Sequence, residues 1–200
     1  DQFTNYARME PFNKEKAFDQ IKACNLAIRW EKERTSLDLK NLTAINTNAS
    51  EYAPVVTPTG DLVFTSDRID ATGNDTYGWT GEKYSDLYLT KKQADGSYSG
   101  VVSLAAELNS GFNEGTPTFS RDGNEVYFTR CGSQGKGAND YCAIYVSRMQ
   151  SLGGWSAPET LALFENDTFN VGHPFLGKDG KYMLFAAEAP EGYGGKDLYI

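Results

Sequence analysis

Two of the three cysteines stand where they could form a disulfide across neighbouring strands. Cys131 comes three residues after Phe128, and Cys142 comes three residues before Tyr145; this phenylalanine and this tyrosine both recur in an internal repeat. If these segments pair as antiparallel strands, the cysteines lie opposite each other at the base of a loop. We predict a Cys131–Cys142 disulfide, which implies an oxidising compartment and contributes on the order of 2–3 kcal/mol. Two buried free thiols are the alternative.

The equivalent positions carry polar pairs in the two other copies of the repeat. Asp67 and Ser85 occupy them in the first copy, and Glu188 and Lys196 occupy them in the third. We expect a hydrogen bond in the first copy and an ion pair in the third, each closing the base of a loop. The sequence thus predicts three chemically different ties at one structural position.

Charged residues lie next to these paired positions, and they could either bind a ligand or stabilise the fold. Arg68 follows Asp67, and an Asp-Leu-Tyr sequence begins at Asp86 and again at Asp197. One interpretation places Asp67, Arg68 and Asp86 at the mouth of a binding site. In the other, Arg68 pairs with Asp86 and orders the loop between them. The repeated charged cluster comprises Asp67, Arg68, Asp86, Glu188, Lys196 and Asp197.

Residues suited to catalysis or metal binding are scarce. His173 is the only histidine, so a Ser-His-Asp triad would depend on it, and the chain has no Gly-x-Ser-x-Gly sequence. Zinc needs several closely spaced His or Cys ligands, which are missing. No pair of carboxylates stands out for glycoside hydrolysis. We predict a protein that is not an enzyme and that carries no metal or cofactor.

A glycine-rich segment, residues 69–84, could hold calcium or contact a partner. Its oxygen-bearing side chains do not follow the EF-hand spacing; they are Asp70, Asn74, Asp75 and Glu82. We favour an exposed insertion without a metal, whose aromatic side chains are available to a partner. The candidate partner-contact residues, on this and other loops, are Tyr77, Trp79, Tyr84, Tyr141 and Tyr193.

The strands that position these residues are predicted from the internal repeat. Each copy has a proline, a glycine six residues later and then an aromatic strand, and the copies are Pro54–Phe64, Pro117–Phe128 and Pro174–Phe185. Asp122-Gly123 and Asp179-Gly180 indicate hairpins with type I′ turns, which need positive φ at both central residues. With the tyrosine-bearing strand that follows, each copy predicts four short antiparallel strands.

A four-stranded unit repeated in this way is typical of a β-propeller. A β-sandwich is the alternative, but it does not explain why the same turn recurs in phase. The repeat units fall at about 43–108, 109–166 and 167–200, which makes about two and a half blades. Because propellers typically close with four to eight blades, we predict a mainly β fold in which residues 37–200 are part of a larger propeller.

Residues 1–36 differ from the repeats and predict a helix. No glycine or proline occurs between residues 13 and 34, and apolar residues recur on one helical face. These residues are Ala17, Ile21, Cys24 and Ile28. We expect Asn13 to cap the helix and Cys24 to be a buried small hydrophobic residue. A lone helix does not bury such a stripe, so it must pack on other structure.

Composition excludes two further classes. The net charge is -8 and no cluster of lysine and arginine occurs, so we predict no nucleic-acid partner. The longest nearly apolar segment, Val101–Leu108, is far too short to span a bilayer. We therefore predict no transmembrane segment.

Two sequence strings resemble a known repeat. They are Phe64-Thr-Ser-Asp-Arg68 with Asp86-Leu-Tyr88, and Gly192-Tyr-Gly-Gly-Lys-Asp-Leu-Tyr199. They resemble the WD40-like, TolB-type propeller repeat of bacterial envelope proteins, in which a Ser-Asp-Arg turn precedes a glycine-rich loop and an Asp-Ile/Leu-Tyr strand. Charged groups recur from blade to blade in that family, which favours a structural role for the charged cluster.

The order of the segments resembles the PorE-like OmpA-family lipoproteins of type IX secretion. Residues 1–36 resemble the end of a tetratricopeptide array, Asp38–Leu42 forms a bridge, and the blades follow. The resemblance implies a periplasmic, outer-membrane-associated scaffold that binds protein partners of a secretion or gliding machine. Peptidoglycan would be bound only by a domain absent from this chain. A receptor for a peptide or glycan is the alternative, followed by a hydrolase-associated propeller.

Overall fold

The structure is a computed structural model, and it describes residues 2–9, 14–33, 38–73, 76–78, 80–132, 141–165 and 168–200. The chain divides into two compact units, a helical unit at Asp1–Lys40 and a β unit at Asn41–Ile200. Each unit has its own secondary structure and its own packing.

The helical unit contains two helices, α1 at Gln2–Met9 and α2 at Lys14–Lys32. The sequence pattern predicted α2 but not α1, because a helix of eight residues is too short to show an apolar period. Ala7 of α1 and Ala17 of α2 are buried. The predicted cap, Asn13, lies outside the described residues.

The prediction that Cys24 is buried is wrong, because this cysteine is exposed. Further along α2, Ile28 and Trp30 are exposed to 53% and 61%. Burial on α2 is confined to Ala17, near the start of the helix, and α1 packs against this helix. The apolar stripe of the sequence therefore predicts the helix, but it does not predict which part of the helix is covered.

The described residues of the β unit form eleven strands in three antiparallel sheets, each built from strands that are consecutive in the chain. Sheet 1 contains β1 (Glu51–Val56), β2 (Leu62–Ser66), β3 (Asp86–Lys92) and β4 (Tyr98–Ser103). Sheet 2 contains β5 (Asn113–Phe119), β6 (Glu125–Cys131), β7 (Cys142–Arg148) and β8 (Glu159–Thr160). Sheet 3 contains β9 (Val171–Leu176), β10 (Met183–Ala187) and β11 (Asp197–Tyr199). The prediction of a mainly β fold is confirmed.

The tight turns fall at the glycines of the repeat, but their type differs from the prediction. Between β5 and β6 the amide of Gly123 donates to the carbonyl of Ser120 at 2.9 Å. Gly123 and Gly180 have φ of 75° and 70°, whereas Asp122 and Asp179 do not have positive φ. The type I′ prediction is therefore wrong. A type I turn followed by a left-handed glycine closes these hairpins.

The first strand of each sheet has a bulge at the residue before its proline. Ala53, Thr116 and His173 have φ of 49°, 51° and 56°, a region that residues with a Cβ rarely adopt. The proline that follows has no amide hydrogen to donate, which suits an interrupted ladder. The repeat places these three residues at equivalent positions, and the structure adds that all three are left-handed.

A threonine of one sheet holds the bulge of the next sheet. The amide of Thr116 donates to Thr65 Oγ1 at 3.2 Å, and the amide of His173 donates to Thr129 Oγ1 at 2.8 Å. Gly172 packs so closely here that an added Cβ would lie 2.8 Å from the methyl group of Thr129. The same contact therefore joins sheet 1 to sheet 2 and sheet 2 to sheet 3.

Candidate functional site

In sheets 2 and 3 the loop between the second and third strands is tied at its base as predicted. Cys131 and Cys142 are paired at the end of the β6–β7 ladder and form a disulfide. In sheet 3, Lys196 Nζ lies 3.8 Å from Glu188 Oε1. The side chain of Asn170 also donates to Glu188 Oε2 at 2.8 Å. Position within the repeat was therefore sufficient to predict both pairs.

In sheet 1 the two residues at these positions bond to other partners, so the predicted hydrogen bond between them is wrong. Asp67 Oδ1 accepts from the amide of Ser50 at 2.7 Å. Ser85 Oγ accepts from the hydroxyl of Tyr52 at 3.1 Å. Both side chains of sheet 1 therefore bond to β1 or to the segment before it, and not to each other.

The aspartates of the two Asp-Leu-Tyr sequences tie their loops through backbone amides. Asp86 Oδ2 accepts from the amide of Thr72, and Asp197 Oδ2 accepts from the amide of Tyr193, both at 2.6 Å. Burial raises the pKa of Asp86, and its Oδ1 has no hydrogen-bond partner within the described part of the chain. Ala143 occupies the equivalent position in sheet 2, where the disulfide closes the loop.

Arg68 does not pair with Asp86, so that part of the sequence interpretation is wrong. Its Nη2 lies 3.2 Å from Glu51 Oε1 and donates to the carbonyl of Ile45 at 3.0 Å. Glu51 opens β1 and is paired with the last residue of β2, which brings its carboxylate next to the arginine that follows that strand. Arg68 therefore packs against the core of sheet 1, consistent with a structural role.

Sheet 2 has the same kind of charge pair, with the glutamate at the same repeat position and the arginine at a different one. Arg130 Nε lies 2.6 Å from Glu114 Oε1. The Glu114 side chain is fully buried, and that burial raises its pKa to about 6 despite the hydrogen bonds and the positive charge beside it. Counted from the repeated phenylalanine, Arg130 comes two residues earlier than Arg68. Alignment of the repeats alone could not identify the two arginines as equivalent.

An open groove beside the disulfide brings four aromatic side chains together; they are Tyr52, Tyr77, Tyr84 and Phe112. Asn113, Gly132 and both cysteines complete the lining of this aromatic groove, whose volume is about 540 Å³. The rings of Tyr77 and Tyr84 have centroids 5.5 Å apart and are tilted by 45°. Tyr52 and Phe112 are exposed to 44% and 37%.

Hydrogen bonds hold the walls of the aromatic groove. The hydroxyl of Tyr52 donates to Ser85 Oγ at 3.1 Å, and the amide of Ser85 donates to Asn113 Oδ1 at 3.0 Å. Burial raises the pKa of Tyr52. The amide of Tyr77 donates to the carbonyl of Glu82 at 2.7 Å. The aromatic rings therefore project from a backbone that is already ordered by the protein itself.

The glycine-rich insertion of sheet 1 uses a lysine ammonium to organise its carbonyl groups. Lys83 Nζ donates to the carbonyl of Ala71 at 2.8 Å and to that of Gly73 at 3.1 Å. Two ligands of the calcium alternative, Asn74 and Asp75, lie outside the described residues. Among those described, no group of three or more His, Cys, Asp or Glu side chains is arranged to hold a metal.

A smaller cleft, of about 210 Å³, adjoins the aromatic groove. Tyr52, Asn113 and the disulfide line both cavities. This second cleft lies where the first strands of sheets 2 and 3 meet, and its further lining includes Thr116, Thr129, His173 and Lys196. A ligand could therefore reach from the aromatic groove into a mostly apolar cleft that has a few polar groups in its wall.

Two of the five predicted partner-contact residues, Tyr77 and Tyr84, lie together in the aromatic groove. Tyr193 is fully exposed and Tyr141 is half-buried beside Cys142, and neither is among the described residues that line the groove. Trp79 lies outside the described part of the chain. Of the five candidate residues, the structure therefore places Tyr77 and Tyr84 in one groove, which the sequence did not predict.

Two residues of the groove, Tyr52 and Phe112, were not predicted. Tyr52 stands where the other copies of the repeat have Gly115 and Gly172, so a large ring at a glycine position was a usable signal. Phe112 and Asn113 recur in the next copy of the repeat as Phe169 and Asn170, but this recurrence does not indicate a role. Both are brought to Tyr77 and Tyr84 only by contacts between distant segments.

Within the described ranges, no helix is long and apolar enough to cross a membrane. Comparisons of the chain with protein-family models, with curated proteins and with solved structures find no match.

Proposed function

We propose that this chain is a non-enzymatic module that binds a protein partner through the aromatic groove. The observation that carries this proposal is the grouping of Tyr52, Tyr77, Tyr84 and Phe112 in one open groove. Tyrosine is enriched at protein interfaces, where a few aromatic side chains supply much of the binding energy. Because the groove walls are already held by hydrogen bonds and a disulfide, binding loses little conformational entropy.

The β unit is proposed to be part of a β-propeller of the WD40-like, TolB type. Two observations support this assignment: each sheet consists of consecutive antiparallel strands, and the same threonine-to-amide contact joins each sheet to the next. A propeller blade has four strands, as sheets 1 and 2 have. On this proposal the helical unit is the end of a tetratricopeptide-like array.

The proposed location is the periplasm, in a PorE-like OmpA-family protein associated with the outer membrane. The disulfide supports this location, because disulfides persist in oxidising compartments. The proposed task is to support a type IX-like secretion or gliding machine by docking one of its proteins. Peptidoglycan would be bound by a separate domain.

Site-specific crosslinking tests the docking function. The full-length protein is captured from native envelopes as wild type, as Tyr84→Ala and as Tyr193→Ala, where the last variant removes an exposed ring outside the groove. We expect crosslinks from the groove to an envelope protein in wild type and in Tyr193→Ala, and a several-fold loss in Tyr84→Ala. Equal capture by all three proteins, or crosslinks confined to another face, would contradict the proposal.

A receptor for a peptide or glycan is the second candidate, because a second cleft adjoins the groove. His173 lines this cleft and is the only histidine, so its imidazole signal reports on the cleft without assignment of other residues. Titration with short peptides and with peptidoglycan fragments, followed by NMR, tests the candidate. Saturable shifts support it, whereas an unchanged imidazole signal counts against it.

A further inference from the structure

Each sheet of the β unit contains one stacked pair of aromatic rings, from a phenylalanine of the second strand and a tyrosine of the third. The ring centroids are 5.9, 6.0 and 5.7 Å apart in sheets 1, 2 and 3. These ring pairs are Phe64–Tyr88, Phe128–Tyr145 and Phe185–Tyr199. These three ring pairs show which side chains pack over two neighbouring rings in this protein.

A further side chain covers each ring pair. Arg68 lies 5.2 and 4.7 Å from the two centroids in sheet 1, and Arg130 lies 5.5 and 4.8 Å from those in sheet 2. In sheet 3 the ring of Phe164 lies 6.1 and 5.6 Å from the two centroids. The face of an aromatic ring carries negative partial charge and attracts a guanidinium. The fold uses this attraction twice.

Tyr77 and Tyr84 form another ring pair, which is tilted by 45° and lies in the aromatic groove with centroids 5.5 Å apart. Within the described part of the chain, no cation and no third ring lies over this pair. Lys83, which precedes Tyr84, directs its ammonium to the carbonyls of Ala71 and Gly73. Both tyrosines are only partly buried, so a side chain from another molecule can reach this ring pair.

We infer that the Tyr77–Tyr84 pair binds the guanidinium of an arginine in a basic segment of the partner protein, an inference that rests on the proposed docking function. The chain carries a net charge of -8, so it attracts basic segments over a distance. No described residue that lines the groove is charged, so nothing in that lining repels a cation. The guanidinium would occupy the place that Arg68 and Arg130 occupy over their own ring pairs.

The surroundings favour a guanidinium over an apolar cover. Phe164, the apolar cover in sheet 3, also packs edge-on against Phe169, at a centroid distance of 5.0 Å, within an aromatic cluster. The aromatic groove is open and includes tyrosine hydroxyls and the amide of Asn113. A guanidinium can lay its face on the rings while its edges keep water and hydrogen-bond acceptors.

A matched pair of peptides tests the inference on this chain. One short peptide carries two arginines between glycines, and the other carries citrulline, which has the same shape without the charge. Binding is measured by NMR titration to wild type, Tyr77→Phe, Tyr77→Leu and Tyr84→Leu, after near-ultraviolet circular dichroism has shown that each variant is folded. None of these substitutions alters the net charge of -8, so general attraction between acidic protein and basic peptide is held constant.

We expect the arginine peptide to bind wild type and Tyr77→Phe equally, and each leucine variant about two- to fivefold more weakly. The citrulline peptide should bind wild type more weakly than the arginine peptide does, and added salt should weaken arginine binding. Equal binding of the arginine peptide to wild type and both leucine variants would overturn the inference. The citrulline comparison uses wild type alone, and equal binding of the two peptides would overturn the inference even if the variants do not fold.

The same variants separate this inference from the docking function. Envelope partner capture that is lost in Tyr84→Ala but kept in Tyr84→Leu would mean that apolar contact suffices, which contradicts the arginine assignment and leaves docking at the groove intact. Capture that is unchanged in both variants would contradict both proposals. Capture that is lost in both variants, through a partner segment that contains arginine, supports both.

Discussion

Sheets 2 and 3 contain the same kind of ring pair, but a charged side chain lies over it in sheet 2 and an apolar side chain lies over it in sheet 3. In sheet 2 the cover is the guanidinium of Arg130, held by the buried carboxylate of Glu114 at 2.6 Å. In sheet 3 the cover is the ring of Phe164. In each of the three sheets a side chain therefore lies over the ring pair, and this side chain can be charged or apolar.

The two strands beside the ring pair differ in a matching way. Val171 stands in sheet 3 where Glu114 stands in sheet 2, and Ala187, paired with Val171, stands where Arg130 is paired with Glu114. A buried charge is stable only when it is paired and hydrogen-bonded, so a sheet without arginine at this position must either neutralise its glutamate from elsewhere, as Arg68 does in sheet 1, or replace the glutamate. In sheet 3 the joint replacement of glutamate and arginine by small apolar residues is accompanied by an apolar cover.

Arg130→Ala tests whether sheet 2 needs its ion pair, because it leaves Glu114 buried without its counter-charge. We expect the free energy of unfolding to fall by about 3–5 kcal/mol, measured by urea denaturation. Arg121→Ala, at an exposed position, is the control and should change it little. The double variant Glu114→Gln, Arg130→Met removes both charges and should be far less destabilised. A small loss in Arg130→Ala would mean that the ion pair is not needed.

Sheet 2 also differs from sheet 3 in its loop tie, which is covalent in one and ionic in the other. Replacing Cys131 and Cys142 together by serine should lower the free energy of unfolding by about 2–3 kcal/mol. Glu188→Gln, which removes the exposed ion pair of sheet 3, should lower it by less than about 1 kcal/mol. Similar losses in the two variants would show that the disulfide acts no differently from a weak polar contact.

The apolar cover is tested by Phe164→Ala, which uncovers the ring pair of sheet 3. Because Phe164 is only partly buried, we expect a loss of about 2 kcal/mol in the free energy of unfolding, below the range for a fully buried phenylalanine. Phe175→Ala removes a ring that is 53% exposed and is the matched control. If both variants lose the same stability, Phe164 does not act as a cover.

The pKa values of the equivalent glutamates in sheets 1 and 2 shift in opposite directions. This difference gives the prediction with the smallest expected effect. Burial alone would raise the pKa of Glu51, but hydrogen bonds from Thr47 and Ser66 and the charge of Arg68 lower it overall. Burial is the main cause that raises the pKa of Glu114 to about 6. Glu51 therefore contributes stability above its unfolded-state pKa, which is lost as the pH falls. The stability linked to Glu114 is present at low pH and is lost as the pH rises.

For Glu114 the relevant window runs from the ordinary glutamate value of 4.5 to about 6. Across it the folded state binds more protons than the unfolded state, so wild type should lose on the order of 1–2 kcal/mol of stability as the pH rises. Glu114→Gln should lack this slope in urea denaturation measured at several pH values. The same slope in both proteins would assign it to another group.

Much of the fold could be predicted because its signals are local. Within each copy, the proline, the glycine and the aromatic residues mark the first strand, the turn and the second strand. The pairing of Cys131 with Cys142 and of Glu188 with Lys196 followed from position alone, because neighbouring strands in one sheet are adjacent in the chain. These contacts span short stretches of sequence, where register leaves few alternatives.

About half of the candidate site escaped prediction. Tyr77 and Tyr84 could be named from their type and their place on a loop. Tyr52 joins them from the first strand of the same sheet, and Phe112 joins them only because sheets 1 and 2 pack side by side. The wrong pairing of Arg68 has the same origin. A long side chain can reach several carboxylates, and packing between elements, not repeat position, selected Glu51.

The strands, the hairpin glycines, the disulfide and the set of candidate tyrosines could all be predicted from the sequence. Which tyrosines form one groove, which carboxylate neutralises each arginine and how much of α2 is covered emerged only from the folded chain. Backbone pairing within a hairpin depends on nearby residues, whereas side-chain contacts between distant segments depend on how their surfaces fit together.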